Sequence, residues 1–122
     1  VDYNALGSGE FEDLYYQLMH KIGYKEVKLE VRRRNEMTSV ASERFKSVLQ
    51  GKYLITMIRA LEPVGKDAVL KFKELIAQTQ SVRGVLISSS SFTENAINYA
   101  EEQVEANIDL MDKVNIFELI GQ

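Results

Sequence analysis

Near its start the chain carries a stretch in which apolar residues recur every three or four positions. This spacing places them on one face of an α-helix, so the pattern predicts a first helix from about 9 to 22. Ser8 is suited to begin this helix and Gly23 to end it, because these residue types favour helix caps. The apolar positions are Phe11, Leu14, Tyr15, Leu18, Met19 and Ile22.

From position 24 the period of the hydrophobic residues changes to two. Apolar Val27, Leu29 and Val31 alternate with charged residues, which is typical of a half-buried β-strand. Residues 33–52 fit neither period cleanly, and a second strand is predicted within them. Residues 53–58 then form a nearly continuous apolar run of strand length, as expected of a central strand that is covered on both faces.

The rest of the chain alternates helices with short strands. A helical face at 65–79 is followed by the buried strand 85–87, and Ser91 with Glu94 forms a capping-box pattern that opens a third helix. A short strand at 108–110 and a terminal helical turn follow. Strands separated by helices imply partly parallel pairing with right-handed crossovers. We therefore predict one domain over residues 1–122, a three-layer α/β/α sandwich with a mixed central sheet.

Composition narrows the possible chemistry. The chain has no cysteine, which excludes disulfides, thiolate metal sites and cysteine nucleophiles and favours an intracellular setting. Its apolar runs are far shorter than the roughly 20 residues that cross a bilayer, so no membrane span is expected. Because the chain begins at Val1 rather than at methionine, we expect it to be part of a longer protein.

The charge of the chain is mildly acidic and uneven. A net charge of -3 disfavours binding to nucleic acid by overall charge alone. Arg32, Arg33 and Arg34 nevertheless form a local basic run, which is suited either to contacting phosphates or to ending a strand in solvent. The acidic residues gather near the C-terminus, at Glu101, Glu102, Glu105, Asp109 and Asp112.

Several short phrases, in order along the chain, resemble one known family. Gly9-Glu10-Phe11-Glu12 opens the first helix and Gly23-Tyr24 enters the first strand. Further matching phrases occupy residues 51–55, 62–69, 84–87, 91–100 and 108–111. Together they resemble the Mrr-type restriction endonuclease domain, a branch of the PD-(D/E)xK nuclease superfamily. The resemblance covers nearly the whole chain and implies a restriction-endonuclease-like fold.

The resemblance also implies a chemistry, which is magnesium-dependent cleavage of the DNA backbone. Members hold Mg²⁺ with acidic side chains and place a lysine on the neighbouring strand, in a phrase of glutamine, any residue and lysine. Here that phrase is Thr56-Met57-Ile58, followed by Arg59, and Ile58 cannot donate to water or stabilise charge on a phosphate. The expected aspartate falls within residues 35–43, where no aspartate occurs. Glu43 is the nearest substitute by its separation from Ile58, and Glu36 is a weaker one.

We therefore predict first a degenerate nuclease-fold domain that serves in macromolecular binding or assembly. It would need no cofactor, and its partner would be a nucleic acid, through Arg32, Arg33 and Arg34, or another protein. Binding to protein through the acidic C-terminal surface is a further interpretation. The sequence leaves open whether the domain forms a homo-oligomer.

The alternative is a Mg²⁺-dependent endonuclease with a relocated active site. It would use Glu12, Glu43 and Arg59 for catalysis, with Glu12 and Glu43 as the metal ligands, since Glu12 matches an accessory acid of the family. Each residue also has a structural explanation. An acid in the first turn of a helix is favoured by the helix dipole, a strand glutamate usually faces solvent, and an arginine beside a core strand usually pairs with an acid or a phosphate.

Overall fold

A computed structural model describes the backbone of residues 8–22, 24–33, 35–43, 53–103 and 107–120, and the side chains of residues 9–22, 35–40, 53–103 and 107–120. These residues form four helices and five strands in the predicted order. They are α1 (Ser8–Ile22), β1 (Tyr24–Arg33), β2 (Glu36–Glu43), β3 (Tyr53–Ile58), α2 (Lys66–Thr79), β4 (Arg83–Ser88), α3 (Glu94–Glu102), β5 (Ile108–Met111) and α4 (Lys113–Ile120).

The strands form one mixed sheet in the order β1-β2-β3-β4-β5. Strand β2 runs antiparallel to both β1 and β3, whereas β3, β4 and β5 run parallel to one another. The parallel pairs are those that a helix connects along the chain, α2 between β3 and β4 and α3 between β4 and β5. The mixed pairing expected from the helix-strand alternation is therefore confirmed.

Two apolar clusters lie on opposite faces of this sheet. Ile55 and Met57 of β3 belong to a cluster with residues of α1 and α4, and Leu54 belongs to a second cluster with residues of α2 and α3. The division follows from the strand geometry, because successive side chains point to opposite faces. The predicted three-layer sandwich is confirmed, with α1 and α4 on one side and α2 and α3 on the other.

The buried phenol of Tyr15 ties α1 to the central strand. Its hydroxyl donates a hydrogen bond to the backbone carbonyl of Ile55 at 3.1 Å, and its side chain is 0% exposed. Burial raises the pKa of Tyr15 well above its ordinary value, since the phenolate would lose its hydration. The nearby Ser39 hydroxyl lowers this pKa by a smaller amount, although it forms no hydrogen bond of ordinary geometry with a described residue.

Helix α2 packs closely on β4 because residue 84 is a glycine. A Cβ atom added to Gly84 would lie 2.5 Å from Cδ1 of Ile76 and 2.6 Å from Cε2 of Phe72. Contacts this short are repulsive, so a larger residue would push the helix from the sheet. Gly84 thereby sets the height of α2 above the strands.

The cap of α3 differs from the prediction. The helix begins at Glu94 and its N-cap is Thr93, whose hydroxyl accepts a hydrogen bond from the Ala96 backbone amide at 3.1 Å. The expected cap at Ser91 was wrong because the preceding segment is held extended by a bridge between Val64 and Phe92, which delays the start of the helix. Gly23, expected to end α1, lies outside the described residues.

No helix in the described part of the chain is long and apolar enough to cross a membrane.

Candidate functional site

The Thr56-Met57-Ile58 phrase lies at the carboxyl end of the central strand β3. Thr56 and Ile58 are two residues apart, so their side chains share the face of the sheet that α2 covers. The register with the neighbouring strand β2 pairs Thr56 with Thr38 and Ile58 with Glu36. These four residues therefore form a compact group on one face at one end of the β2–β3 ladder.

Thr38 and Thr56 form the closed interior part of this group. Their hydroxyl oxygens are 2.9 Å apart, a hydrogen bond in which either can be the donor. The two side chains are only 3% and 5% exposed. Each hydroxyl thus satisfies the other away from water, and no charge is placed at this position.

A small cleft opens beside the threonine pair, between β2, β3 and α2. It has a volume of about 150 Å³. Two of its lining side chains are charged, the carboxylate of Glu36 from β2 and the ammonium of Lys71 from α2. The other lining residues are Thr38, Thr56, Ile58, Ala68, Phe72, Leu75 and Leu86. Most of this wall is hydrocarbon, as in the core beneath it.

The described residues of the cleft provide too few oxygen ligands to hold Mg²⁺ by themselves. Mg²⁺ is held by oxygen ligands, usually one or two carboxylates together with substrate phosphates and waters. Glu36 is the one carboxylate in the described lining of the cleft, and the described residues contain no group of three or more acidic, histidine or cysteine side chains that could hold a metal. The threonine pair and Ile58 occupy the remaining positions at this end of the two strands.

Arg59 lies at the same end of the sheet but turns toward its other face. Its guanidinium carbon is 5.1 Å from the centre of the Phe11 ring on α1. Its backbone amide and its Nε both donate to Asn35, to the carbonyl at 2.8 Å and to Oδ1 at 3.2 Å. Arg59 therefore joins the β1–β2 turn to α1, and it does not line the cleft.

Glu43 lies at the opposite end of the β2–β3 ladder from Ile58 and Arg59. Glu12 follows Phe11 on α1 and is half-buried. The backbone of Glu43 pairs with Tyr24, beyond the Ala41–Tyr53 pair at the opposite end of the β2–β3 ladder. At about 3.3 Å per residue, Glu43 is roughly 23 Å along the strand from Glu36.

The structure therefore does not bring together the three residues of the predicted relocated site. Sequence separation favoured Glu43 as the acid nearest to Ile58, whereas the antiparallel register makes Glu36 the direct neighbour of Ile58. Thr38 and Lys71 were missed. Helical spacing is the signal that could have found Lys71, since it lies three residues after Ala68 and four before Leu75 on the stripe that faces the cleft.

The strand backbone that carries Arg32 and Arg33 lies next to the strand that lines the cleft. In the β1–β2 ladder Arg33 pairs with Glu36 and Arg32 pairs with Met37. Since Glu36 in turn pairs with Ile58, the run stands at the end of the sheet where the cleft opens. Arg34 and the side chains of Arg32 and Arg33 lie outside the described parts.

Comparison with known proteins now identifies the fold. The family model described as "Restriction endonuclease", of the Mrr catalytic type, matches residues 4–120. The chain belongs to the restriction endonuclease family. The resemblance inferred from the sequence phrases is thereby confirmed. In this restriction endonuclease domain the cleft beside Ile58 lies on strands β2 and β3. No curated protein sequence matches the chain.

Three solved structures share this fold at low sequence identity. The DNA modification-dependent restriction endonuclease AspBHI is 16% identical with a TM-score of 0.69, over 91% of this domain and 30% of AspBHI. EndoMS in its apo form is 13% identical with a TM-score of 0.54, over 88% of this domain and 47% of EndoMS. The MspJI restriction endonuclease in complex with a 27-mer oligonucleotide is 10% identical with a TM-score of 0.55, over 93% of this domain and 26% of MspJI. The domain thus spans less than half of each of these chains.

Proposed function

We propose that this restriction endonuclease domain binds nucleic acid without cleaving it. The observation that carries the proposal is the neutral group formed by Thr38, Thr56 and Ile58 at the family's lysine-bearing end of β3. Cleavage of a phosphodiester needs charge there, to hold a metal and to stabilise the charge that develops on the phosphate. Two hydroxyls bonded to each other and an isoleucine provide neither, and Glu36 adds one carboxylate. No metal cofactor is part of this function.

Binding is supported by the position of the basic run. The backbone of Arg33 lies across from Glu36, so arginines approach the end of the sheet where a nuclease of this fold would meet its substrate. A patch of this kind acts through phosphates and needs no overall positive charge on the domain. The MspJI relative was solved with an oligonucleotide, which makes nucleic acid a reasonable first partner to test. Such a partner also implies an intracellular place of action.

The binding experiment compares two triple variants of equal charge. The first changes Arg32, Arg33 and Arg34 to alanine, and the control changes the exposed residues Lys21, Lys73 and Lys113 to alanine. Anisotropy of a labelled duplex, measured at low and moderate salt, should show roughly tenfold weaker binding for the arginine variant and a shallower salt slope. Equal losses in the two variants, or binding that does not depend on salt, would contradict the proposal.

One observation keeps a second candidate function open. Glu36 and Lys71 line the same cleft, so a relocated endonuclease site would have one carboxylate and one ammonium available there. The test is nicking of supercoiled plasmid with Mg²⁺ or Mn²⁺, with wild type beside Glu36→Gln and Glu43→Gln. We expect no nicking by any of the three. Nicking lost only in Glu36→Gln would establish a site in the cleft, and nicking lost only in Glu43→Gln would favour the set of Glu12, Glu43 and Arg59.

A further inference from the structure

A second groove lies at the far edge of the sheet from the basic run. It has a volume of about 330 Å³ and lies beside β5, the last strand of the sheet. Its apolar lining comes from α3, β5 and the loop before α3, and its polar lining is mainly acidic. The apolar residues are Phe92, Ile97, Ala100, Ile108 and Leu110, and the polar ones are Glu101, Asp109, Asp112 and Asn115. This volume is within the range of binding pockets for ligands.

The groove follows the edge of β5 rather than one face of the sheet. Ile108, Asp109 and Leu110 are consecutive and all line it, although neighbouring side chains of a strand point to opposite faces. Ile97 of α3 and Asn115 of α4, whose helices cover opposite faces of the sheet, line the groove as well. The groove therefore runs along the outer edge of β5. In the described part of the chain β5 pairs with β4 alone, so its outer edge has no strand partner there. An open edge of this kind can accept a further strand.

The charge of the groove determines which kinds of ligand it attracts. Glu101 and Asp109 are exposed, and no basic residue is among the described lining residues. Two of the acidic side chains, Asp112 and Asp109, already interact with neighbouring groups of the domain. Asp112 accepts hydrogen bonds from the backbone amides of Val114 and Asn115 at 3.0 and 3.1 Å, and Asp109 lies 3.5 Å from Nε of Arg83 in an exposed ion pair. The lining holds three carboxylates against the one described cation, Arg83, that pairs with them, so the groove has a net negative charge that repels phosphates and attracts cationic side chains.

An apolar anchor point completes the surface. Ile97 is 41% exposed on α3, above the buried Ala100 and Phe92 that form the floor of the groove. A partner side chain that covers Ile97 would remove hydrocarbon from water at about 25 cal/mol per Å². The surface therefore combines an open strand edge, an apolar floor and an acidic rim.

We propose that this groove binds an extended segment of a partner protein in which apolar and basic residues alternate, added to the sheet as a sixth strand next to β5. Backbone hydrogen bonds along the edge supply affinity. Alternate side chains of the segment then point to opposite faces, which sends apolar ones to the α3 face, toward Ile97, and basic ones to the other face, where Asp109 points. Glu101 adds negative charge at the rim of the α3 face. The inference is independent of the proposed nucleic-acid binding, because it uses the opposite edge of the sheet and the opposite charge.

The peptide test uses three labelled eight-residue probes and fluorescence anisotropy. The first alternates valine and lysine, the second alternates valine and glutamate, and the third replaces the valines of the first with proline, which removes half of the backbone donors. We expect binding of the valine-lysine peptide, weakened by salt, and at least tenfold weaker binding of the other two. Equal binding of the proline peptide would overturn strand addition, and equal binding of the glutamate peptide would overturn the role of the acidic rim.

Matched protein variants locate the site. Glu101→Lys and Ile97→Ser should each weaken binding of the valine-lysine peptide about fivefold, which corresponds to about 1 kcal/mol. The controls are Glu74→Lys and Val82→Ser, which change an exposed acid and an exposed apolar residue outside the groove. Equal effects in the groove and control variants would mean that the peptide binds elsewhere and would overturn the proposal. All four positions are exposed, so the fold tolerates the changes.

Discussion

Thr38 and Thr56 face each other across the β2–β3 ladder with their hydroxyl oxygens 2.9 Å apart. Ile58 lies two residues farther along β3, on the same face, and pairs with Glu36. On the α2 face at this end of β2 and β3, a neutral hydrogen-bonded pair and an isoleucine thus stand beside the single described carboxylate, that of Glu36. Stability and metal binding should therefore respond to changes in this pair in ways that ordinary surface threonines would not show.

The first prediction concerns the threonine hydrogen bond itself. Either single change, Thr38→Val or Thr56→Val, leaves one buried hydroxyl without its partner, and should lower the free energy of unfolding by about 1 to 3 kcal/mol. The double variant removes both hydroxyls and should be close to wild type. Urea denaturation of the four proteins measures the coupling. Additive losses in the double variant would show that the two hydroxyls act independently.

The second prediction restores charge at this end of the strands. Thr38→Asp combined with Ile58→Lys places a carboxylate where 3% of the threonine side chain is exposed, and should lower the free energy of unfolding by roughly 2 to 4 kcal/mol without metal. Mg²⁺ or Mn²⁺ should recover part of this loss, because the new carboxylate joins Glu36 as a ligand.

The stability that the double variant regains on binding Mg²⁺ or Mn²⁺ is measured by thermal unfolding with and without the metal. The control is Thr38→Asn combined with Ile58→Lys, which keeps the shape but lacks the carboxylate. A midpoint that rises equally with metal in both variants would show that this position cannot hold a cation.

The third prediction is a dependence on pH from the buried phenol of Tyr15. Folded Tyr15 has its pKa raised above the ordinary value of about 10, so above pH 10 the unfolded chain loses this proton while the folded chain keeps it. The folded state then binds more protons, and its stability falls as the pH rises. The stabilisation that the folded state gains from protonated Tyr15 is complete below pH 10 and is lost as the pH rises toward the pKa of the folded state.

Tyr15→Phe isolates this effect. At pH 7 the variant should be about 1 kcal/mol less stable, since the hydrogen bond to the Ile55 carbonyl is lost. That difference should disappear near pH 11, because the wild type alone carries the proton linkage. The urea midpoints of wild type and Tyr15→Phe, measured from pH 7 to 11, test whether the difference in stability disappears. A difference that stays constant over this range would contradict the linkage.

The fourth prediction concerns the spacing between α2 and the sheet. Gly84→Ala should lower the free energy of unfolding by about 1 to 3 kcal/mol, because the new methyl group meets Ile76 and Phe72 at less than 3 Å. Gly9→Ala is the matched control. A Cβ at Gly9 meets nothing within 4 Å, and alanine favours the helix by up to about 1 kcal/mol. Opposite signs of the two effects in urea denaturation are expected, and equal signs would contradict the close packing.

Much of the fold could be predicted because it depends on local periodicity. The first helix was expected at 9–22 and is Ser8–Ile22, and the second was expected at 65–79 and is Lys66–Thr79. Strand β2 was hard to recognise since Met37, Thr38 and Ser39 are all buried, which hides the alternation of a half-exposed strand. Its place between two other strands explains this burial, and that place is a property of the whole sheet.

Some features of the candidate site could likewise be predicted from the sequence, and others could not. The sequence by itself determined the helix and strand order, the family resemblance and the apolar isoleucine at position 58, because each of these depends on residues close together in the chain. Only the tertiary structure decided that Glu36 and not Glu43 lies beside Ile58, that Arg59 turns to the α1 face, and that Lys71 reaches the cleft. The physical reason is that strand register and helix packing are set by contacts between distant segments, and a shift of one residue would reverse which side chains share a face.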